Sequence, residues 1–191
     1  MGLSPRLNLD SSELQRTLYE LSRSYHPDFY QTRTQGEKTI SENATATINT
    51  AFETLRDPIK RIEYLLTLEG LPIEQGNSKP PMDLFEEILG IQEAIGEYRE
   101  AKLSGAAAPK AVQVTVLKAK EDLEARLAAL RKNLEALSQR WDARLDSSPI
   151  AHGSDPEEKK KILTELRESL SAIAYLRTVL RDIDNTLKGS G

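Results

Sequence analysis

Tyr25-His26-Pro27-Asp28 decides the reading of the N-terminal half. The stretch interrupts two segments of helical periodicity. Pro27 cannot continue a helix, and it pushes His26 out of the α region. Upstream, Asp10-Ser11-Ser12-Glu13 reads as a helix start. Asp10 or Ser11 can accept from orphan backbone N–H groups, and Glu13 stands three residues after Asp10, as in a capping box. Leu14, Leu18, Leu21 and Tyr25 follow at spacings of four, three and four, one apolar stripe on a helix. Downstream, Ile40, Ala44, Ile48, Phe52 and Leu55 form a second stripe, closed by Asp57-Pro58. Two amphipathic helices on a short connection bury their stripes against each other as an antiparallel hairpin. His26-Pro27-Asp28 then lies at the exposed tip.

Composition sets the bounds. The chain has 191 residues, enough for one domain or two small ones, with 29% charged and 38% hydrophobic residues. Its nine prolines fall in apparent loops and ends, so an all-α fold is expected. No apolar run reaches the length of a membrane span. The N-terminal Met1-Gly2-Leu3-Ser4-Pro5-Arg6 lacks the apolar centre of a signal peptide. The absence of Cys rules out disulfides and thiolate metal sites. Cytoplasmic residence is therefore the default expectation. A net charge of −4 argues against a general nucleic-acid binder. His26 and His152 are the only imidazoles and nothing pairs them, so neither a metal site nor a cofactor is expected.

Gly70-Leu71-Pro72 and the stretch from Gln75 to Pro81 read as a linker. Three helical segments are predicted after it. The first runs from Met82 to about Leu103 and ends at Gly105. The second opens at Pro109 and runs to about Leu145. The third is capped by Ser154 or Asp155, has Pro156 in its first turn, and runs to about Leu187. Leu123, Leu127, Leu130, Leu134, Leu137 and Trp141 form a seam on the second, and Leu166, Leu170, Ile173, Leu176, Leu180, Ile183 and Leu187 on the third. These are packing patterns of antiparallel helices in a bundle, and Trp141 reads as core. The first helix carries two rows. Leu84, Ile88, Ile91, Ile95 and Tyr98 suffice for docking on the other helices. Beside them Phe85 and Leu89 continue into Glu93 and Glu97, apolar at one end and acidic at the other. That second row is either the edge of a broad core stripe or a protein-docking face. Periodicity alone favours the former slightly.

A helical hairpin with His-Pro-Asp in its loop resembles a J domain, the module that stimulates the ATPase of DnaK-type heat-shock chaperones. The likeness extends through Leu21-Ser22-Arg23-Ser24-Tyr25-His26-Pro27-Asp28, through Ile48-Asn49-Thr50-Ala51-Phe52-Glu53-Thr54-Leu55-Arg56-Asp57-Pro58 and through Arg61-Ile62-Glu63-Tyr64-Leu65-Leu66. The last segment is similar to one in the HscB (Jac) family, co-chaperones of iron–sulfur cluster biogenesis with a J domain followed by a three-helix bundle. The resemblance covers nearly the whole chain and implies a J domain over 1–74, a linker over 75–81 and a C-terminal bundle over 82–191. Relatives usually open with an aromatic-containing stretch ahead of Gly-Leu-Pro. This chain begins close to that point, which implies that the first J-domain helix is short or partly missing.

The resemblance also assigns partners. His26, Pro27 and Asp28 would dock on a DnaK/HscA-type chaperone ATPase. Asp28 would offer a carboxylate to a basic group, and Pro27 would keep the loop stiff. Arg16 and Arg23 supply a thin basic face on the first helix, with Glu13 and Glu20 interleaved. Arg56 and Arg61 are expected to pair with nearby acids. Phe85, Leu89, Glu93 and Glu97, with Leu84 as a weaker candidate, fall where relatives bind an IscU-type cluster scaffold. Gly90 departs from an acidic position of that pattern. The implied protein is an adaptor without catalysis of its own, a monomer or weak homodimer that binds neither nucleic acid nor membrane. The competing readings are a J protein with a different client, an enzyme using His26 and Asp28 as an acid–base pair, and a non-catalytic helical interaction protein.

Overall fold

The computed structural model of the chain describes residues 4–73, 84–146 and 156–188. The expected linker 75–81, Met82 and His152 lie outside these residues. Among the described residues there are six α-helices: α1 (Ser11–Tyr25), α2 (Gln35–Arg56), α3 (Pro58–Leu68), α4 (Phe85–Leu103), α5 (Lys110–Asp146) and α6 (Pro156–Lys188). A 3-10 turn, Pro27–Tyr30, follows α1. The fold is all-α. No described helix is long and apolar enough to cross a membrane.

Local chemistry accounts for the helix ends. Asp10 caps α1, accepting from the backbone N–H of Ser12 and Glu13 and from the Ser12 hydroxyl. These bonds, the hydroxyl first, hold the Asp10 carboxyl below its usual pKa. Thr34 and Glu37 form a reciprocal capping box at the start of α2. Hydrogen bonds from the Thr34 hydroxyl and N–H lower the Glu37 pKa in turn. Asp57 does two jobs: it ends α2 and caps α3 by accepting from Ile59 and Lys60, with Pro58 at the first helical position. The sequence reading took Asp57-Pro58 only as a stop. The helix that follows was legible in this cap and in Ile62, Leu65 and Leu66, all of them buried.

The chain divides into two compact units, Met1–Ile73 with Leu137–Leu163, and Glu74–Ala136 with Thr164–Gly191. In the first unit α1 packs on α2, and α2 on α3. Leu14, Ile48, Ile62, Leu65 and Leu66 are buried there, as are Leu137, Trp141, Ile162 and Leu163. The described residues ahead of α1 form no helix and are tied down by polar bonds. Asp142, itself buried, accepts from the backbone N–H of Leu7 and Asn8 and from the Asn8 side-chain amide. Trp141 Nε1 donates to the Pro5 carbonyl, and Arg6 pairs with Asp146. Arg61 is buried and donates to the carbonyls of Leu55 and Leu7. Burial lowers the Arg61 pKa, opposed by the charges of Asp142 and Asp57. Its hydrogen bonds thus go to backbone carbonyls rather than to the acid partner expected from sequence. Arg56 lies over the Phe52 ring instead. A hollow of about 610 Å³ opens between residues 4–7, α2 and α3, bordered by Ala51, Leu55, Leu65 and Leu68.

One stripe differs from expectation. Ile40 is 63% exposed, whereas Ser41 is fully buried. Ala44 and Thr45 are both half-buried, so the row departs from expectation only at Ile40 and Ser41. In the second unit the expected seam residues Ile88, Ile91 and Ile95 of α4, Leu123 and Leu127 of α5, and Leu166, Leu170, Ile173, Leu176 and Ile183 of α6 are buried, joined by Val116 of α5, while Leu130 and Leu187 are half-buried. Lys120 reaches Asp184 at 2.7 Å, and that bond holds the Asp184 carboxyl below its ordinary range.

Candidate functional site

Pro27 fixes the geometry of the hairpin tip. His26 leaves the helix with φ −62° and ψ 130°, and the chain then tightens into the 3-10 turn, closed by a Phe29 N–H bond to the His26 carbonyl. His26 Nδ1 accepts from the Asp28 N–H at 3.3 Å. One Asp28 carboxylate oxygen accepts from the Gln31 amide, and the other lies 3.5 Å from His26 Nδ1. The ring of Phe29 stands edge-on to His26 at 6.2 Å. The His26 and Asp28 side chains nevertheless remain 52% and 70% exposed. Pro27, Gln31, Lys38 and Glu42 line a shallow hollow beside them. Arg16 and Arg23, both on α1, are exposed as well.

Two hydroxyls that the sequence reading passed over support this turn. Ser41 Oγ and Thr45 Oγ1 of α2 both donate to the Tyr25 carbonyl, at 2.7 and 3.0 Å. Polar residues inside a stripe carry no hydrophobic signal, so periodicity could not single them out.

In the second unit Phe85 and Leu89 are 60% and 56% exposed, and Glu93 and Glu97 continue the same row of α4 into solvent. The row is thus an outward face and not the edge of the core stripe. Leu84 is different. At 1% exposure it is packed among the core residues and offers no surface to a partner. Its place in the docking stripe, rather than its place among the scaffold contacts, is what the fold uses. Gly90 and Gly96 lie within α4 with open space around them.

No family model matches the sequence. Solved structures, however, share the architecture. Chaperone HscB from Vibrio cholerae is 22% identical, with a TM-score of 0.57 over 97% of this chain and 95% of that one. The human co-chaperone protein HscB is 24% identical, with a TM-score of 0.61 over 100% of this chain and 80% of that one. The fold is therefore an all-α one shared with these two structures. In particular, it is the HscB fold, with the His-Pro-Asp tripeptide exposed at the tip of its N-terminal hairpin.

Proposed function

We propose that this protein is a J-type co-chaperone that stimulates the ATPase of a DnaK/HscA-type heat-shock chaperone and delivers an IscU-type cluster scaffold to it. The observation that carries this reading is the exposed, internally hydrogen-bonded His26-Pro27-Asp28 turn on a fold shared with HscB. The turn is stiff before it meets a partner, so docking costs little conformational entropy. Its exposed imidazole and carboxylate present two hydrogen-bonding groups side by side. Arg16 and Arg23 add a modest attraction for an acidic chaperone surface.

The row Phe85, Leu89, Glu93 and Glu97 would hold the scaffold: an apolar anchor of two side chains continued by two carboxylates. Binding both partners in one chain raises the local concentration of client at the moment of hydrolysis. No catalytic step belongs to this protein itself. The test is a titration of an HscA-type ATPase with wild-type protein and with His26→Gln, each with and without scaffold. Wild type should stimulate turnover, scaffold should add to it synergistically, and His26→Gln should do neither. Equal stimulation by the two proteins, or none by either, would remove the proposal. A J protein with another client would stimulate without synergy, and a scaffold pulldown would be unaffected by Leu89→Ala.

A further inference from the structure

The α-helix leaves its last carbonyls without N–H partners, and a proline just beyond the end removes one more donor. At the end of α1 this deficit falls on the residues that lead into His26-Pro27-Asp28. The Phe29 N–H, four residues after Tyr25, would serve the Tyr25 carbonyl in a continuing helix. Here it bonds the His26 carbonyl instead, because the chain has tightened into a 3-10 turn. The Tyr25 carbonyl takes both of its hydrogen bonds from a different helix, from Ser41 and Thr45 one turn apart on α2.

The destination of these two hydroxyls sets them apart from their neighbours. Thr39, Thr47, Thr50 and Thr54 of α2 each donate back to the carbonyl four residues earlier in their own helix. Only Ser41 and Thr45 among the hydroxyl side chains of α2 with bonds described here reach across to α1. Ser41 does so with no exposure at all, a polar side chain in the buried interior. Together they occupy both lone pairs of one carbonyl, at the last helical residue before the turn. On the other side of the tip, the Tyr30 hydroxyl reaches the Ser24 carbonyl at 3.4 Å.

We infer that Ser41 and Thr45 are positioning residues for the chaperone-docking turn: their paired hydrogen bonds to the Tyr25 carbonyl set the direction in which His26-Pro27-Asp28 leaves α1. The inference rests on the J-type reading given above. Without the two bonds the carbonyl turns to find water, the backbone about Tyr25 and His26 samples several arrangements, and only a fraction of molecules presents the binding geometry. A partner then binds more weakly by that fraction, while the complex, once formed, is the same. The expected signature is a higher half-saturating concentration at an unchanged maximal rate.

The experiment is a titration of a DnaK/HscA-type ATPase with the full chain, well below each variant's unfolding temperature. The Ser41→Ala/Thr45→Val double variant should raise the half-saturating concentration roughly tenfold, the effect of about one lost net hydrogen bond. Its maximal stimulation should stay near wild type, and the amide NMR shifts of residues 26–29 should move. Thr45→Ser keeps the hydroxyl and should titrate as wild type. Thr47→Val, which removes a hydroxyl bonded within α2, should do so as well. Should the double variant lose its helical circular dichroism, Thr45→Val alone carries the test, with an expected rise of roughly threefold. A wild-type titration curve and unmoved amide shifts for the hydroxyl-free variant, alongside failure of His26→Gln, would overturn the positioning role while leaving the J-type reading standing. Stimulation by His26→Gln equal to wild type would instead bring down that reading and this inference with it.

Discussion

Asp142 shows how much one side chain can hold. Its carboxylate accepts three hydrogen bonds, two from the backbone of Leu7 and Asn8 and one from the Asn8 amide, and the residue is buried. Across from it, buried Arg61 donates to the Leu7 carbonyl. Residues 5–8 are thus fixed largely by side chains that bond their backbone. Asp142→Ala strands the buried Leu7 N–H, which costs about 1–3 kcal/mol, while the donors of exposed Asn8 can turn to water. Urea unfolding should register a loss of about 1–3 kcal/mol for this variant. Asp142→Asn, which keeps one acceptor oxygen, should lose less. Neither role was legible in sequence. A lone Asp or Arg on a helix reads as a solvated charge, and its acceptors and donors here lie far away in the chain.

At the scale of the element, α4 divides cleanly into two faces. Leu84, Ile88, Ile91 and Ile95 are buried, while Phe85, Leu89, Glu93 and Glu97 are not. The helical spacing of each row was plain in the sequence. Whether the second row was the edge of the core or an outward face was not, because a helix's own pattern does not say how wide a surface its neighbours cover. The two faces should respond oppositely to truncation. Leu84→Ala should cost about 2–5 kcal/mol of stability, as for other buried leucines. Phe85→Ala and Leu89→Ala should change stability by no more than about 0.5 kcal/mol, as for surface sites. Chemical denaturation paired with a scaffold pulldown checks both: the exposed pair should lose binding without losing stability. The same indeterminacy explains α2. Ile40 continued the apolar stripe on paper, yet Ser41 is the buried neighbour, where its hydroxyl donates to the Tyr25 carbonyl.

Across the whole molecule, carboxylates are held ionised at several separate places. Asp10 is lowered by its bonds to Ser12 and Glu13, Glu37 by Thr34, Asp146 by Arg6, and Asp184 by Lys120. A carboxyl with a folded pKa below its unfolded value stabilises the fold fully above the unfolded value. That contribution is lost as pH falls through the folded one. Thermal unfolding followed by circular dichroism should therefore show a nearly constant midpoint from about pH 7 to pH 5 and a progressive drop below about pH 4. Asp184→Asn should flatten part of that drop. These groups are exposed, so added salt should shrink the effect.

The amino-acid sequence by itself determined the helices of the second unit, the hairpin and the place of its turn, because periodicity, caps and prolines act within a few residues of one another. Tertiary structure alone decided that Ser41 displaces Ile40 from the inward face, that Phe85 and Leu89 stay in solvent while Leu84 does not, that Arg61 and Asp142 clamp residues 5–8, and that 137–163 cluster with the N-terminal residues. Each of these depends on a donor, acceptor or apolar surface contributed by a distant part of the chain. A helix's own pattern states which residues share a face but not what that face will meet.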